Sequence, residues 1–368
     1  MLVSAKVAKQ DEFYTQYVDI QKEVEAYLEY DPDTFRGKVV YCNCDDPFES
    51  NFFKYFAANF NKLGLKKLIT TSYDGSPIAN RQLKLMEFEE GNGQRKRPKA
   101  VAVVIEEVMD ITGDGAVGVE DVKLFLQRNS HTRTSLMGGG DFRSPECVNY
   151  LEECDIVVTN PPFSLFREFI AQLIESDKKF IVIGNVQAIT YREIFPLIRA
   201  DKIWLGATIS SGDREFRVPD YYPLQAAGWR IDSEGNKFIR VKGVRWWTNL
   251  EHGRRHLALP LMTMEENLKF SKHKEVKGKA NYDRYDNYGA IDVPYTDAIP
   301  SDFPGIMGVP ITFLDKYCPD QFEIIGLGAS AGYNPHIVGL EKDERFRDAR
   351  PLLDGKNTYA RVFIRHRF

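Results

Sequence analysis

No run of about 18 apolar residues occurs in the 368-residue chain, so no membrane span is expected. The opening residues, MLVSAKVAKQDEFYTQ, lack the apolar stretch of a signal peptide. Cysteine is scarce and odd in number: Cys42, Cys44, Cys147, Cys154 and Cys318. That excludes a disulfide scaffold and fits a reducing cytoplasm. Cys42 and Cys44 form C-x-C, but no C-x-x-C or H-x-H accompanies them. The zinc spacings are therefore missing, and the pair reads as buried or loop thiols. No internal repeat or low-complexity tract is present. Positive charge is not in excess either: the net charge is −4 and the pI about 6.0. That argues against a surface that binds nucleic acid everywhere, and leaves room for a local basic patch.

Apolar residues make up 43% of the chain, enough for a large core, and the length suits two domains. Aromatics reach 12%, with 24 Phe and 18 Tyr, which suits flat faces to fill or bases to stack on. Asp11 to Tyr30 has helical apolar spacing (Tyr17, Ile20, Val24, Tyr27, Leu28). Strand and helix signals then alternate. Strands are expected at 38–42, 67–71, 100–105, 155–159, 180–183, 202–205 and 241–248. Helices are expected at 51–63, closed by Gly64, at 164–176 and at 190–200. Continuous apolar strands alternating with helices predict an α/β fold, a doubly wound, mostly parallel, Rossmann-like sheet. Ligands of such sheets bind at the carboxyl ends of the strands. A polar insert spans about 88–138. From about residue 250 the alternation stops, and a second, irregular domain is expected over 251–368.

Asn160-Pro161-Pro162-Phe163 follows directly on the fourth strand. Two prolines fix φ and lack N–H groups, so the backbone is rigid and its carbonyls point in set directions. The Asn160 side-chain oxygen and the Pro161 carbonyl can both accept from an exocyclic amino group, turning the nitrogen lone pair toward an electrophile. Phe163 can stack on the base that carries the amine, as flipped bases do on aromatic walls. A Pro-rich turn closing a strand is the alternative, and it leaves Asn160 and Phe163 unexplained.

This tetrapeptide resembles the catalytic motif of amino-directed S-adenosylmethionine-dependent methyltransferases. The wider chain resembles the EcoRI-type adenine-specific DNA methyltransferases. The segments that carry this are Asp11 to Glu23, Val39 to Phe60, Gly140 to Phe169 and Met307 to Gly326. The resemblance implies N6 methylation of a flipped adenine in double-stranded DNA, with S-adenosylmethionine as cofactor. It implies a catalytic domain over 1–250 and target recognition over 251–368. It also implies a cytoplasmic protein, bacterial or phage-encoded, acting as a monomer or weak oligomer. Asn43, Asp45 and Asp46 end the first strand, where the methionine part of the cofactor is held, with Asn160 beside it. The Gly-rich F-x-G-x-G loop of many methyltransferases is missing here. Asp45 or Asp46 can accept from the cofactor's ammonium group, or these acids cap the helix that starts near Ser50. Tyr73 ends the second strand, the usual place for ribose contacts. Asp141 resembles the acid that accepts the cofactor's adenine amino group, with Phe142 beside the ring; the alternative is a cap for the helix near 146–153.

Asp110, Thr112, Asp114 and Asp121 fall at positions 1, 3, 5 and 12 of an EF-hand-like loop, with Gly115 at position 6. The alternatives are a structural calcium ion and a plain Gly/Asp turn. From Lys237 to Lys279 eleven Lys and Arg face four Glu, with Trp246 and Trp247 among them, a segment suited to phosphate contacts. Two further readings stand beside DNA methylation: amino methylation of RNA adenine or of a protein glutamine amide, and a non-catalytic nucleic-acid-binding protein.

Overall fold

The computed structural model describes residues 14–45, 50–73, 100–115, 117–128, 133–209, 212–218, 224, 228–329 and 349–367. The chain divides into two compact units, one covering Met1–Asn185 with Ser211–Leu250, the other Val186–Ser210 with Glu251–Phe368. Of the expected 88–138 insert, residues 88–99, 116 and 129–132 lie outside the described residues, as does Asp46.

The first unit is built on a mixed sheet. Its strands are β1 (Val39–Cys42), β2 (Lys67–Thr71), β3 (Val101–Ile105), β4 (Arg133–Ser135), β5 (Ile156–Thr159) and β6 (Lys179–Asn185). The centre runs β2-β1-β5-β6 and is parallel throughout. On the β2 side, β3 and β4 run antiparallel. The apolar run of β3 reports burial on both faces but not direction, which the path of the connection decides. The expected strand over 241–248 is two strands broken at Gly243, which takes φ 70°. With β7 (Asp213–Val218) and β8 (Arg230–Ile231), these are β9 (Lys237–Lys242) and β10 (Val244–Thr248). Strands β7, β9 and β8 form a separate antiparallel sheet, and β10 pairs antiparallel with β6.

The helices of this unit are α1 (Tyr17–Tyr30), α2 (Asn51–Ala58), α3 (Phe60–Leu63), α4 (Val119–Arg128), α5 (Pro145–Glu153) and α6 (Phe166–Glu175). The run expected over 51–63 breaks at Asn59, and Gly64 closes it at φ 63° as a left-handed cap. Aromatic side chains fill the space between sheet and helices. Phe52 meets Trp246 edge-on at 5.9 Å, and Phe35 meets Phe56 at 5.4 Å. Trp246 and Trp247 are fully buried, so they belong to the core.

The second unit carries α7 (Phe195–Arg199), α8 (Met264–Phe270) and a four-stranded sheet. Its strands are β11 (Ala290–Asp292), β12 (Ile306–Pro310), β13 (Phe322–Gly328) and β14 (Arg361–His366), in the order β11-β12-β14-β13. Thr263 and Glu266 close a reciprocal capping box at the start of α8. No helix among the described residues is long and apolar enough to cross a membrane.

One buried group makes this unit acid-sensitive. His252 is 3% exposed, and its Nε2 lies 3.1 Å from the Leu205 carbonyl. Burial, followed by the nearby Arg255 and Arg254 charges, lowers its pKa to about 4 against a partly offsetting hydrogen bond to Leu205. Between the unfolded value near 6.5 and the folded value near 4, the unfolded chain binds the extra proton. Stability therefore falls as pH drops through that window. His252→Gln should flatten the acid limb of a stability profile measured by denaturant unfolding between pH 4 and 6.5. An unchanged slope would remove His252 from the acid response.

Candidate active site

Strands β1, β2 and β5 run parallel and end at one edge, and the chain folds back across that edge. After β1, Cys44 takes φ 61°, an uncommon value for a non-glycine residue, and the turn returns Asp45 onto the end of β2. The Asp45 N–H donates to the Thr71 carbonyl at 2.9 Å, and the Thr70 hydroxyl donates to the Asp45 carbonyl at 2.6 Å. Asn43 is buried, and its side-chain oxygen accepts from the Thr71 hydroxyl at 3.3 Å.

The Asp45 side chain is 8% exposed and held at both oxygens. Ser50 Oγ donates to Oδ1 at 2.8 Å, and Thr159 Oγ1 lies 2.8 Å from Oδ2. Thr159 Oγ1 is also within reach of the Asn43 carbonyl. Ser50 is the N-cap of α2, accepting from the Phe52 and Phe53 N–H groups at 3.1 and 3.3 Å. The capping role offered for Asp45 thus falls to Ser50, and Asp45 accepts that cap's own proton. The negative charge of Asp45 adds to burial, the larger cause, in pushing the Cys42 thiol well up. All five cysteines are free thiols.

Asn160 to Phe163 leaves the end of β5. The Asn160 side-chain oxygen and Pro161 are buried, while Pro162 and Phe163 are half-buried. Pro162 sits at φ −54° and ψ 123°, and its carbonyl takes the Leu165 N–H at 2.9 Å. That bond starts a 3₁₀ turn, Phe163–Leu165, which runs into α6. Behind it, Phe166 packs on Trp247 with ring centroids 5.5 Å apart. Gly184 makes room for both: a Cβ there would sit 2.4 Å from Phe166 and 2.9 Å from Trp247. The tetrapeptide is therefore held by β5 before it and by a packed helix after it.

The loop Gly138 to Phe142 closes a third side. Gly140 takes φ 73°, and a Cβ on it would fall 1.8 Å from the Ser72 carbonyl, so only glycine lets the loop lie against the end of β2. Tyr73 follows Ser72 there, half-buried. Asp141 is gripped by Arg143, Nε to Oδ1 at 2.9 Å and Nη2 to Oδ2 at 2.7 Å. Arg143 also reaches Glu168 at 2.9 Å, and its hydrogen bond to Asp141 is the main reason its pKa is raised. Ser144, not Asp141, caps α5 by accepting from the Cys147 N–H at 3.3 Å. Phe142 is 3% exposed and meets Phe169 edge-on at 5.2 Å, so it anchors the loop from beneath.

Further along, one carboxylate oxygen each from Asp110, Asp114 and Asp121 lie within 4.8 Å of one another. Asp110 accepts the Gly113 and Gly115 N–H groups, and its side chain lies 3.2 Å from the Thr112 hydroxyl. Asp121 accepts the Ile111, Thr112 and Gly118 N–H groups, each at 2.8 Å. Those donors, led by the Thr112 and Gly118 backbone, lower the Asp121 pKa to about 2. The loop is thus ordered by its own backbone.

The basic segment from Lys237 to Lys279 is not one surface. It divides between the two units at Leu250, and its tryptophans are core. Arg255 is buried, pairing with Asp201 at 2.6 Å and Glu251 at 3.1 Å and lying 3.8 Å from the Trp204 ring. Lys269, Lys272 and Lys279 pair with Glu265, Asp297 and Asp283. Sequence reasoning also passed over Thr70, Thr71 and Thr159, whose hydroxyls organise the site. Their signal was present: three hydroxyls at the last positions of neighbouring apolar strands.

Comparisons with known proteins agree along the whole chain. The family model described as adenine-specific methyltransferase EcoRI matches residues 1–367. The chain is 42% identical to the type II methyltransferase M.EcoRI of Escherichia coli, covering 100% of this chain and 96% of that protein. It is 33% identical to type II methyltransferase M.MpnI of Mycoplasma pneumoniae, over 99% of this chain and 97% of that one. It is 35% identical to type II methyltransferase M.MgeORF184P of Mycoplasma genitalium, over 98% and 97%. No solved structure matches the chain. A full-length match of this kind, on a chain whose Asn-Pro-Pro-Phe peptide sits at the carboxyl edge of parallel strands, places this protein in the EcoRI family of adenine-specific methyltransferases.

Proposed function

We infer that this protein is a site-specific DNA adenine methyltransferase that methylates the exocyclic N6 amine of an adenine flipped from double-stranded DNA. The observation that carries the reading is the position of Asn160 to Phe163, rigid, part-buried and following directly on Thr159, whose hydroxyl lies 2.8 Å from the Asp45 carboxylate. The residues present fit S-adenosylmethionine. Asp45 offers a buried anion for its ammonium group, and Asp141, on its Gly-rich loop, an acceptor for its adenine amine. Asn43 and Asn160 line the same edge, Tyr73 stands at the ribose end, and Phe142 supports the Asp141 loop. The cofactor supplies a methyl group already activated on a sulfonium. Asn160 and the Pro161 carbonyl accept the two amino protons, which aims the nitrogen lone pair. Phe163 offers a face for the flipped base. No general base of unusual strength is required, because alignment supplies most of the barrier reduction.

The first unit is read as the doubly wound, Rossmann-like cofactor-binding domain, and the irregular C-terminal region as the part that reads the target sequence. A cytoplasmic enzyme fits the free thiols, and a monomer or weak oligomer is the assembly expected. RNA adenine and glutamine amides are the competing acceptors for this peptide. Asn160→Ala should lower N6-methyladenine formation in duplex DNA by about two orders of magnitude. Calorimetric binding of S-adenosylmethionine should survive that change. Wild-type turnover on RNA or protein with none on duplex DNA would overturn the DNA reading.

The Asp110 to Asp121 loop is read as a structural calcium site, since it gathers three carboxylate oxygens within 4.8 Å of one another and hard cations take such oxygens. Saturating calcium should stabilise the folded chain through linkage by about 2.7 kcal/mol at a hundredfold excess over Kd, seen as a rise in melting temperature. Asp114→Asn should abolish that rise. An equal rise in the variant would show that the ion binds elsewhere.

A further inference from the structure

We propose that Thr159 is a positioning residue: it sets the Asp45 carboxylate for the cofactor's ammonium group and joins that carboxylate to the catalytic peptide. The proposal rests on the reading of Asp45 given above. Thr159 is fully buried at the last position of β5, next in the chain to Asn160. Its Oγ1 lies 2.8 Å from Asp45 Oδ2 and also within reach of the Asn43 carbonyl. A hydroxyl carries one proton, so it serves one of these acceptors at a time. An ionised carboxylate is the stronger acceptor, so the proton goes to Asp45.

An ammonium group at Asp45 brings its own protons. The carboxylate has lone pairs enough for both donors, so Thr159 keeps its hydrogen bond and its hold on the carboxylate when the ammonium binds. Ser50 holds the other oxygen at 2.8 Å, which fixes the plane of the carboxylate. Thr159 is β-branched and stiff about χ1, so its hydroxyl is aimed by the backbone of β5. That same backbone leads into Asn160, so cofactor seating and amine seating share one element. No metal or extra residue is needed to couple them.

The test compares S-adenosylhomocysteine with its analogue lacking the α-amino group, each titrated calorimetrically into the full chain. The wild type should prefer the amino form by on the order of tenfold or more, as expected for a hydrogen bond to a charged group. Thr159→Val keeps the volume, removes the proton and should narrow that preference to about twofold, while Thr159→Ser should restore it. A merely structural role would weaken both ligands equally. If Thr159→Val melts without cooperativity, Thr159→Ala carries the same comparison. A full preference retained in the folded Val or Ala variant overturns the proposal and leaves the Asp45 reading standing. A wild type with no preference overturns the Asp45 reading itself.

Discussion

A buried carboxylate held at both oxygens organises the carboxyl edge of the central sheet. Asp45 joins β1 to α2 through Ser50, to β5 through Thr159, and to β2 through its own backbone. A hydrogen bond to a charged group contributes about 1.5–3 kcal/mol, and an unsatisfied buried charge costs more than that. The three strands and the helix are therefore locked in mutual register at the point where their ends must form a site. Had these bonds been to solvent, the loop after β1 would have lacked a defined position.

Packing supplies the second constraint. The tetrapeptide after β5 is short of N–H donors, so hydrogen bonds alone do not hold it. Phe166 and Trp247 press on one another behind it, and Gly184 leaves the space they fill. Gly140 performs the matching service on the other side, letting the Asp141 loop rest against Ser72. Among the described residues, close packing and hydrogen bonds to neighbouring strands fix the backbone of this edge.

Much of this was legible in the residues. Five strands from Val39 to Asn185 announced themselves as apolar runs, the short polar Arg133–Ser135 did not, and Gly64 announced a helix end. Asn160 to Phe163 stood out as a motif, because few other roles need that order of types. The direction of β3 was not legible, since an apolar run is the same read either way. The burial of Trp246 and Trp247 was not legible either: cations flank them in the chain, yet β10 turns both rings into the core. Residue types alone offered Asp45 as a cap, and only the structure gave that role to Ser50.

Composition and local pattern thus determined the α/β class and the place of the Asn160 to Phe163 peptide at a strand end. Each depends on residues within a few positions of one another. Tertiary structure alone decided which hydroxyls reach which carboxylate. Asp45 and Thr159 are 114 positions apart, and Thr71 and Asn43 are 28 apart. Parallel pairing of β1, β2 and β5 brings them within hydrogen-bond distance, and no local propensity encodes that encounter.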